Sequence, residues 1–252
     1  MKILFNKGVN GLILNEEEHK VIGEKRDIDV SPGIVISNGS EVKIEKNNYI
    51  AINPSPSIIR SIGKRGAQII DPRDAAVMIM YADMKPDSRV LESGTGSGAL
   101  TSMIVQYLSE KGSYLGIDHN LESIKITREN VSILTGRNVE VIFGKFEEFD
   151  GMGKTYDCIF LDLPEPWLNV AKQRNYLVPG GRVVTYLPNF DQVEKTVIEY
   201  EKNGFLHLQT DEIIKREIVV RENATRPSSN GIMHTAFISC FIKKSGAEYF
   251  LK

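Results

Sequence analysis

The sequence predicts an α/β protein in which a mostly parallel sheet carries helices on both faces, preceded by a small β-rich unit. Three features lead there. From about Asp71 onward, short apolar runs of strand length alternate with helical patterns. One of those strands is followed by the glycine-rich loop Glu92-Ser93-Gly94-Thr95-Gly96-Ser97-Gly98, which opens a helix. The first fifty or so residues instead carry strand-like runs separated by turn signals.

A chain of 252 residues is long enough for one large domain, or for one domain and a small companion. Its 41% hydrophobic and 25% charged residues are those of an ordinary globular protein, so a core can form without disulfides or structural metals. Met1-Lys2-Ile3-Leu4-Phe5 is followed at once by Asn6 and Lys7, unlike a signal peptide, and no apolar run is of membrane-spanning length. A soluble cytoplasmic protein without a membrane partner is expected. Cys158 and Cys240 lie in apolar runs and read as buried thiols, and no Cys/His spacing suggests a metal. The net charge of −2 excludes a general nucleic-acid coat protein but leaves room for a local basic patch.

Element by element, a turn between Gly8 and Gly11 would pair Ile3-Leu4-Phe5 with Leu12-Ile13-Leu14. Asn38-Gly39, a typical two-residue hairpin turn, is flanked by Gly33-Ile34-Val35-Ile36-Ser37 and Glu41-Val42-Lys43-Ile44-Glu45. Asn53-Pro54-Ser55-Pro56-Ser57 reads as a linker, giving a division into 1–53, a connecting 54–70 and a main domain 71–252. Asp71 or Asp74 can cap a helix through Met84, with Pro72 in its first turn. Strands are expected at 89–91, 114–117, 139–143, 157–161 and, after the Pro179-Gly180-Gly181 turn, 182–187. Helices are expected at 99–109, from Leu121 to near Gly136, and at 191–202. Two long strand-like tracts, 205–219 and 233–242, close the chain.

Ligands of an open parallel sheet bind beyond the carboxyl ends of its strands, where strand order reverses. Four motifs fall at such ends. Gly94, Gly96 and Gly98 allow close backbone approach, and the next helix N-terminus offers free N–H groups. The loop, with Thr95 and Ser97 between its glycines, is tighter than a dinucleotide fingerprint. The strand-end carboxylate of Glu92 suits a ligand with cationic amino and sulfonium groups, such as S-adenosylmethionine, better than a pyrophosphate. Asp118, roughly 20 residues on, can accept both hydroxyls of a ribose or can cap the following helix. Gly144-Lys145-Phe146 can border an adenine ring, although Phe146 reads equally as core. Asp162 opens Asp162-Leu163-Pro164-Glu165-Pro166-Trp167 directly after a buried strand. It can accept a hydrogen bond from an exocyclic amine or cap the segment after Pro166, while Trp167 can stack on a base or pack under the sheet. The basic stretch Lys215-Arg216 through Arg221 to Arg226 either grips phosphates or is simply solvated.

Lys64-Arg65-Gly66-Ala67-Gln68-Ile69-Ile70-Asp71-Pro72-Arg73-Asp74, the glycine loop, the Asp162 loop, Pro179-Gly180-Gly181, Arg226-Pro227 and His234-Thr235 together resemble the tRNA (adenine-N1)-methyltransferases acting on T-loop adenine 58. The resemblance runs from Lys64 to Lys243 and implies a Rossmann-like class I methyltransferase sheet with a small N-terminal β-domain, in a homotetramer. It implies S-adenosylmethionine as cofactor, held by Gln68, Glu92, the glycine loop and Asp118, and Asp162 as the catalytic carboxylate. Trp167, Arg221, Arg226 and His234 are then candidates for contact with tRNA. The chain departs from the family pattern at three positions. Asp71 stands where an aromatic or imidazole is common, Lys145 where an aspartate often follows glycine, and Asp118 where glutamate is frequent. The first bears on placement of the substrate base and the second on the adenine contact. Competing readings are a methyltransferase for a small molecule or corrinoid precursor, a protein methyltransferase of the isoaspartyl type, and a non-enzymatic tRNA-binding subunit.

Overall fold

The computed structural model describes residues 1–6, 9–22, 27–31, 34–62, 68–168, 170–228 and 234–246. Six strands, β1 (Lys2–Asn6), β2 (Val9–Asn15), β3 (Lys20–Ile22), β4 (Ile28–Asp29), β5 (Glu41–Ile44) and β6 (Asn47–Ile52), form an antiparallel sheet in the order β4-β3-β2-β1-β6-β5. Leu4, Leu14, Val21, Tyr49 and Ala51 bury its inner face. The first hairpin pairs Ile3 with Ile13 and Leu4 with Leu12, as expected, around a turn whose tip lies outside the described residues. The second hairpin is one strand further on than Asn38-Gly39 suggests. Those two residues do turn, with the Gly39 N–H donating to the Ala51 carbonyl, but β5 pairs with β6 around Glu45-Lys46, where Glu45 has φ +53°. The reason is burial: Ile34 and Val35 are 47% and 85% exposed and offer no inward face, whereas Tyr49 and Ala51 alternate inward along β6. Residues 56–58 form a 3-10 turn leading into α1 (Ile59–Ile62).

The second sheet has seven strands. In chain order the elements are α2 (Pro72–Tyr81), β7 (Arg89–Ser93), α3 (Ala99–Tyr107), β8 (Ser113–Asp118), α4 (Leu121–Thr135), β9 (Val141–Phe143), β10 (Tyr156–Leu161), α5 (Val170–Tyr176), β11 (Leu177–Leu187), α6 (Phe190–Lys202), β12 (Phe205–Glu212), the small pair β13 (Ile218–Val219) and β14 (Arg226–Pro227), and β15 (Phe237–Lys243). The sheet order is β12-β15-β11-β10-β7-β8-β9, and β15 alone runs against its neighbours. Along β10, Cys158 and Phe160 point into one apolar layer with Met78, Leu100 and Ile104. Ile159 and Leu161 point into the other with Tyr200, Phe205 and Phe241. Burial on both faces accounts for the unbroken apolar run of this strand.

Helix ends follow local chemistry. The Asp71 carboxylate caps α2 by accepting from the Arg73 N–H, with Pro72 at the first helical position, and the helix stops at Tyr81, short of Met84. Asn120 caps α4 and Gly136, at φ +69°, ends it. β11 starts earlier than expected. Leu177 already pairs with Tyr156, and the Pro179-Gly180-Gly181 turn is absorbed as a bulge before Arg182 pairs with Cys158. The tract 205–219 is not one strand, since β12 ends at Glu212 and a separate two-residue pair follows. Both cysteines are buried core thiols, and burial pushes their pKa values up, to about 11 for Cys240. No helix among the described residues is long and apolar enough to cross a membrane.

Candidate active site

After β7 the chain runs outward through β8 and β9, then returns to place β10 on the other side of β7. The carboxyl ends of β7 and β10 therefore meet at the point where strand order reverses. There the Asp162 N–H donates to the Ser93 carbonyl at 3.0 Å. Gly94 has φ +84°, and a Cβ on it would lie 2.1 Å from the Asp162 carbonyl oxygen. Only glycine lets the two loops approach this closely. Gly98, at φ +75°, leads into α3, and a Cβ there would meet the backbone of Thr127 in α4 at 3.0 Å. Two buried side chains of α4 brace the loop from behind. Thr127 Oγ1 donates to the Gly96 carbonyl at 3.1 Å and Asn130 Nδ2 to the Ser97 carbonyl at 2.9 Å.

Three carboxyl groups surround this loop. Asp118, 5% exposed, accepts the Gly96 N–H at Oδ2 and the Asn120 N–H at Oδ1. It is not the cap of α4, because Asn120 Oδ1 accepts the first free N–H groups of that helix, from Glu122 and Ser123. Glu92, 1% exposed, accepts at Oε2 from Tyr114 at 2.7 Å and Thr101 at 2.8 Å. Its pKa is raised to about 8, chiefly by burial, against the pull of the two hydroxyl donors and with help from the charges of Asp162 and Asp118. Asp162 is half-buried, and no hydrogen bond reaches its carboxylate among the described residues. Burial, with help from the Asp118 charge, brings its pKa to about 7. None of the three pairs with a Lys or Arg among the described residues; the nearest cation former is His119, 3.9 Å from Asp118. Clustered, poorly solvated carboxyls of this kind favour a cationic ligand. Their chemistry fits the ammonium and sulfonium groups of S-adenosylmethionine.

A cleft of about 430 Å³ opens over the loop, lined by Gly94, Asp118, Gly144, Lys145, Phe146 and Leu163 among others. The Gly144 N–H donates to the Asp118 carbonyl, and a Cβ on Gly144 would meet nothing within 4 Å. Phe146 is 5% exposed, packs in the core beside Phe149 and also forms part of the cleft wall. Glu92 and Asp162 stand beside the loop and are not among the lining residues, and the structure does not bring Gln68, Trp167, Arg221, Arg226 or His234 into this cleft either. Gln68 is exposed before α2. Trp167 is half-buried, with Lys195 Nζ 5.6 Å from its ring centre. Arg221 and Arg226 are exposed on the β13–β14 hairpin. Lys64 and Arg65 lie outside the described residues. His234, just before β15, bridges Glu212 Oε1 at 2.6 Å and the Pro188 carbonyl at 2.9 Å, and the Glu212 bond raises its pKa.

Residues 49–237 match the family described as tRNA methyltransferase complex GCD14 subunit. The chain belongs to this family. Among its relatives, a tRNA (adenine(57)-N(1)/adenine(58)-N(1))-methyltransferase TrmI of Methanocaldococcus jannaschii is 32% identical over 231 residues, 81% of this chain and 82% of that one. A tRNA (adenine(58)-N(1))-methyltransferase TrmI of Thermus thermophilus is 36% identical over 178 residues, 69% of each chain. In three dimensions a SAM-dependent O-methyltransferase from Thermotoga maritima superposes with TM-score 0.81 at 23% identity, covering 98% of this chain and 94% of that one. At that identity the likeness is one of fold, and the fold is that of the class I methyltransferases. The relatives do not favour the corrinoid, protein-methylating or non-enzymatic readings.

Within this GCD14-family chain, the departure at Asp71 has a local explanation. Besides capping α2, its carboxylate lies 3.3 Å from Arg60 and 3.8 Å from Arg73. Sequence reasoning missed the residues that support the site. Asp74, 1% exposed, is bonded by Arg73 at 2.9 Å and by the Tyr186 hydroxyl at 3.0 Å. Thr101 and Tyr114 hold Glu92, and Thr127 and Asn130 hold the loop. One signal was available: Thr127 and Asn130 fall on the same face of α4 as Ile124 and Val131, where an apolar residue is the default.

Proposed function

We propose that this protein transfers the methyl group of S-adenosylmethionine to N1 of adenine 58 in the T-loop of tRNA. The observation that carries the reading is Asp162. It is a half-buried carboxylate without a hydrogen-bond donor among the described residues, set against the glycine loop at the strand-order reversal. When bound, S-adenosylmethionine supplies an already activated methyl group, so the protein's task is to position and stabilise. Asp118 would hold the ribose hydroxyls at the end of β8, with Gly144 and Phe146 bordering the adenine and Glu92 supplying negative charge beneath the loop. Asp162 would accept a hydrogen bond from the N6 amine of the target base. That bond strengthens as positive charge develops on the ring, and Asp162 could then take up a proton from N6.

The target adenine is stacked in folded tRNA and must leave its stack to reach the cleft. Arg221 and Arg226, with Lys215 and Arg216, offer phosphate-binding charge, and Trp167 and His234 complete the substrate side. The working enzyme is a cytoplasmic homotetramer with domains at 1–53 and 71–252 joined through 54–70. The test is incubation of the purified protein with methyl-labelled cofactor and separate pools of tRNA, protein and small metabolites. Label entering tRNA alone supports the reading, and label entering another pool in its place overturns it.

A further inference from the structure

The segment carrying Asp162 has little means of holding its own shape. Pro164 and Pro166 have no N–H to donate, and the loop's backbone bond is the Leu168 N–H to the Glu165 carbonyl at 3.1 Å. Its carbonyls are instead taken by side chains from two helices behind it. Gln173 of α5 donates from Nε2 to the Pro166 carbonyl at 2.9 Å and the Leu168 carbonyl at 3.1 Å. Gln192, in the first turn of α6, donates to the Pro164 carbonyl at 2.8 Å. Gln173 is 1% exposed, and its Oε1 accepts the hydroxyl of Tyr200, a fully buried residue near the end of α6 that packs on Phe205 and Phe241. Helix α6 thus grips the loop twice, once directly and once through Gln173.

A buried amide is costly unless its groups are satisfied. Here both N–H groups go to the loop that follows Asp162, and the oxygen is pinned by a core tyrosine. We propose that Gln173, locked by Tyr200, is a positioning residue that sets the height of the 163–168 loop and so the place of the Asp162 carboxylate beside the glycine loop. This rests on the reading of Asp162 as the group that meets the substrate amine. Gln173 touches no substrate; it acts through the Pro166 and Leu168 carbonyls.

The test compares Gln173→Met, which keeps length and packing but loses the amide, with Tyr200→Phe, which keeps the ring and loses the hydroxyl. Turnover, tRNA KM, cofactor Kd and the pH–rate midpoint are measured well below the unfolding temperature. The expected result for Gln173→Met is a fall in kcat of roughly 10- to 100-fold, the scale of a misplaced reacting group. Cofactor Kd stays unchanged and the pH midpoint is displaced. Tyr200→Phe shifts the same quantities in the same direction by less. If both folded variants keep wild-type kcat and pH midpoint and lose only thermal stability, the amide is a core contact and the proposal is overturned. If Gln173→Met does not fold, Tyr200→Phe decides alone by the same criterion. Wild-type protein and Asp162→Ala are run beside them. No tRNA methylation by the wild type, or full activity in Asp162→Ala, faults the functional reading and not the strut.

Discussion

Cofactor binding should expel protons from this site. Burial places the pKa of Glu92 at about 8 and that of Asp162 at about 7 in the ligand-free protein. At pH 7 the first group is then mostly protonated and the second partly so, and the pair holds roughly one proton or more per chain. An ammonium and a sulfonium brought into the cleft favour the ionised forms and draw those protons off. Calorimetric titration with S-adenosylmethionine in buffers of widely different ionisation enthalpy reads the number as a slope. Release of about one proton or more is expected at pH 7, falling toward zero above pH 9, with Glu92→Gln releasing about half a proton or less. Both carboxyls also bind protons more tightly folded than unfolded. Their contribution to stability is therefore fully present below about pH 4 and lost as pH rises through about 7 to 8. The melting temperature of the ligand-free protein should fall across that window, less so in Glu92→Gln. A wild-type slope of zero at pH 7 would mean both groups are already ionised and would refute the reasoning.

Asp162→Ala should keep cofactor binding and lose roughly 2.7–4 kcal/mol of transition-state stabilisation, about 100- to 1000-fold in kcat; near wild-type turnover would exclude its role. Gly94→Ala combines the left-handed backbone cost of about 1–2 kcal/mol with a Cβ 2.1 Å from the Asp162 carbonyl oxygen. It should lower the melting temperature and weaken cofactor binding, and a crystal structure with both loops unmoved would contradict this. Replacing Arg221 and Arg226 together by alanine should raise the tRNA KM and flatten the salt dependence by up to about one unit per lost phosphate contact, with cofactor Kd unchanged. An unaltered salt slope would mean the hairpin is merely solvated. Light scattering should give the mass of a tetramer, and a stable monomer at working concentration would overturn that assembly.

What could be read from the sequence was whatever announces itself in consecutive residues. The glycine loop, the buried strand before Asp162 and the Asp71-Pro72 helix start are local signals, and each lies where its pattern places it. Errors came where tertiary burial outweighs local propensity. Asn38-Gly39 turns as its type demands, yet the paired strand is the one with Tyr49 and Ala51 to bury. The Pro-Gly-Gly turn sits inside a bulged strand because Leu177 already has a partner in Tyr156. The supports of the site were hidden for a different reason. Tyr114 reaches Glu92 across 22 positions, Tyr200 reaches Gln173 across 27 and Tyr186 reaches Asp74 across 112, and no local pattern encodes such pairs.

The central claim is tested most directly by presenting the purified protein with S-adenosylmethionine and two tRNA transcripts. One is unaltered, and the other differs only in carrying guanosine at position 58. Mass spectrometry of nuclease fragments then locates any new methyl group, and position 57 is read from the same fragments. Formation of 1-methyladenosine at position 58 in the first transcript, and none at that position in the second, is the predicted result. No methylation of the first transcript, or methylation confined to another position in both, would contradict the account.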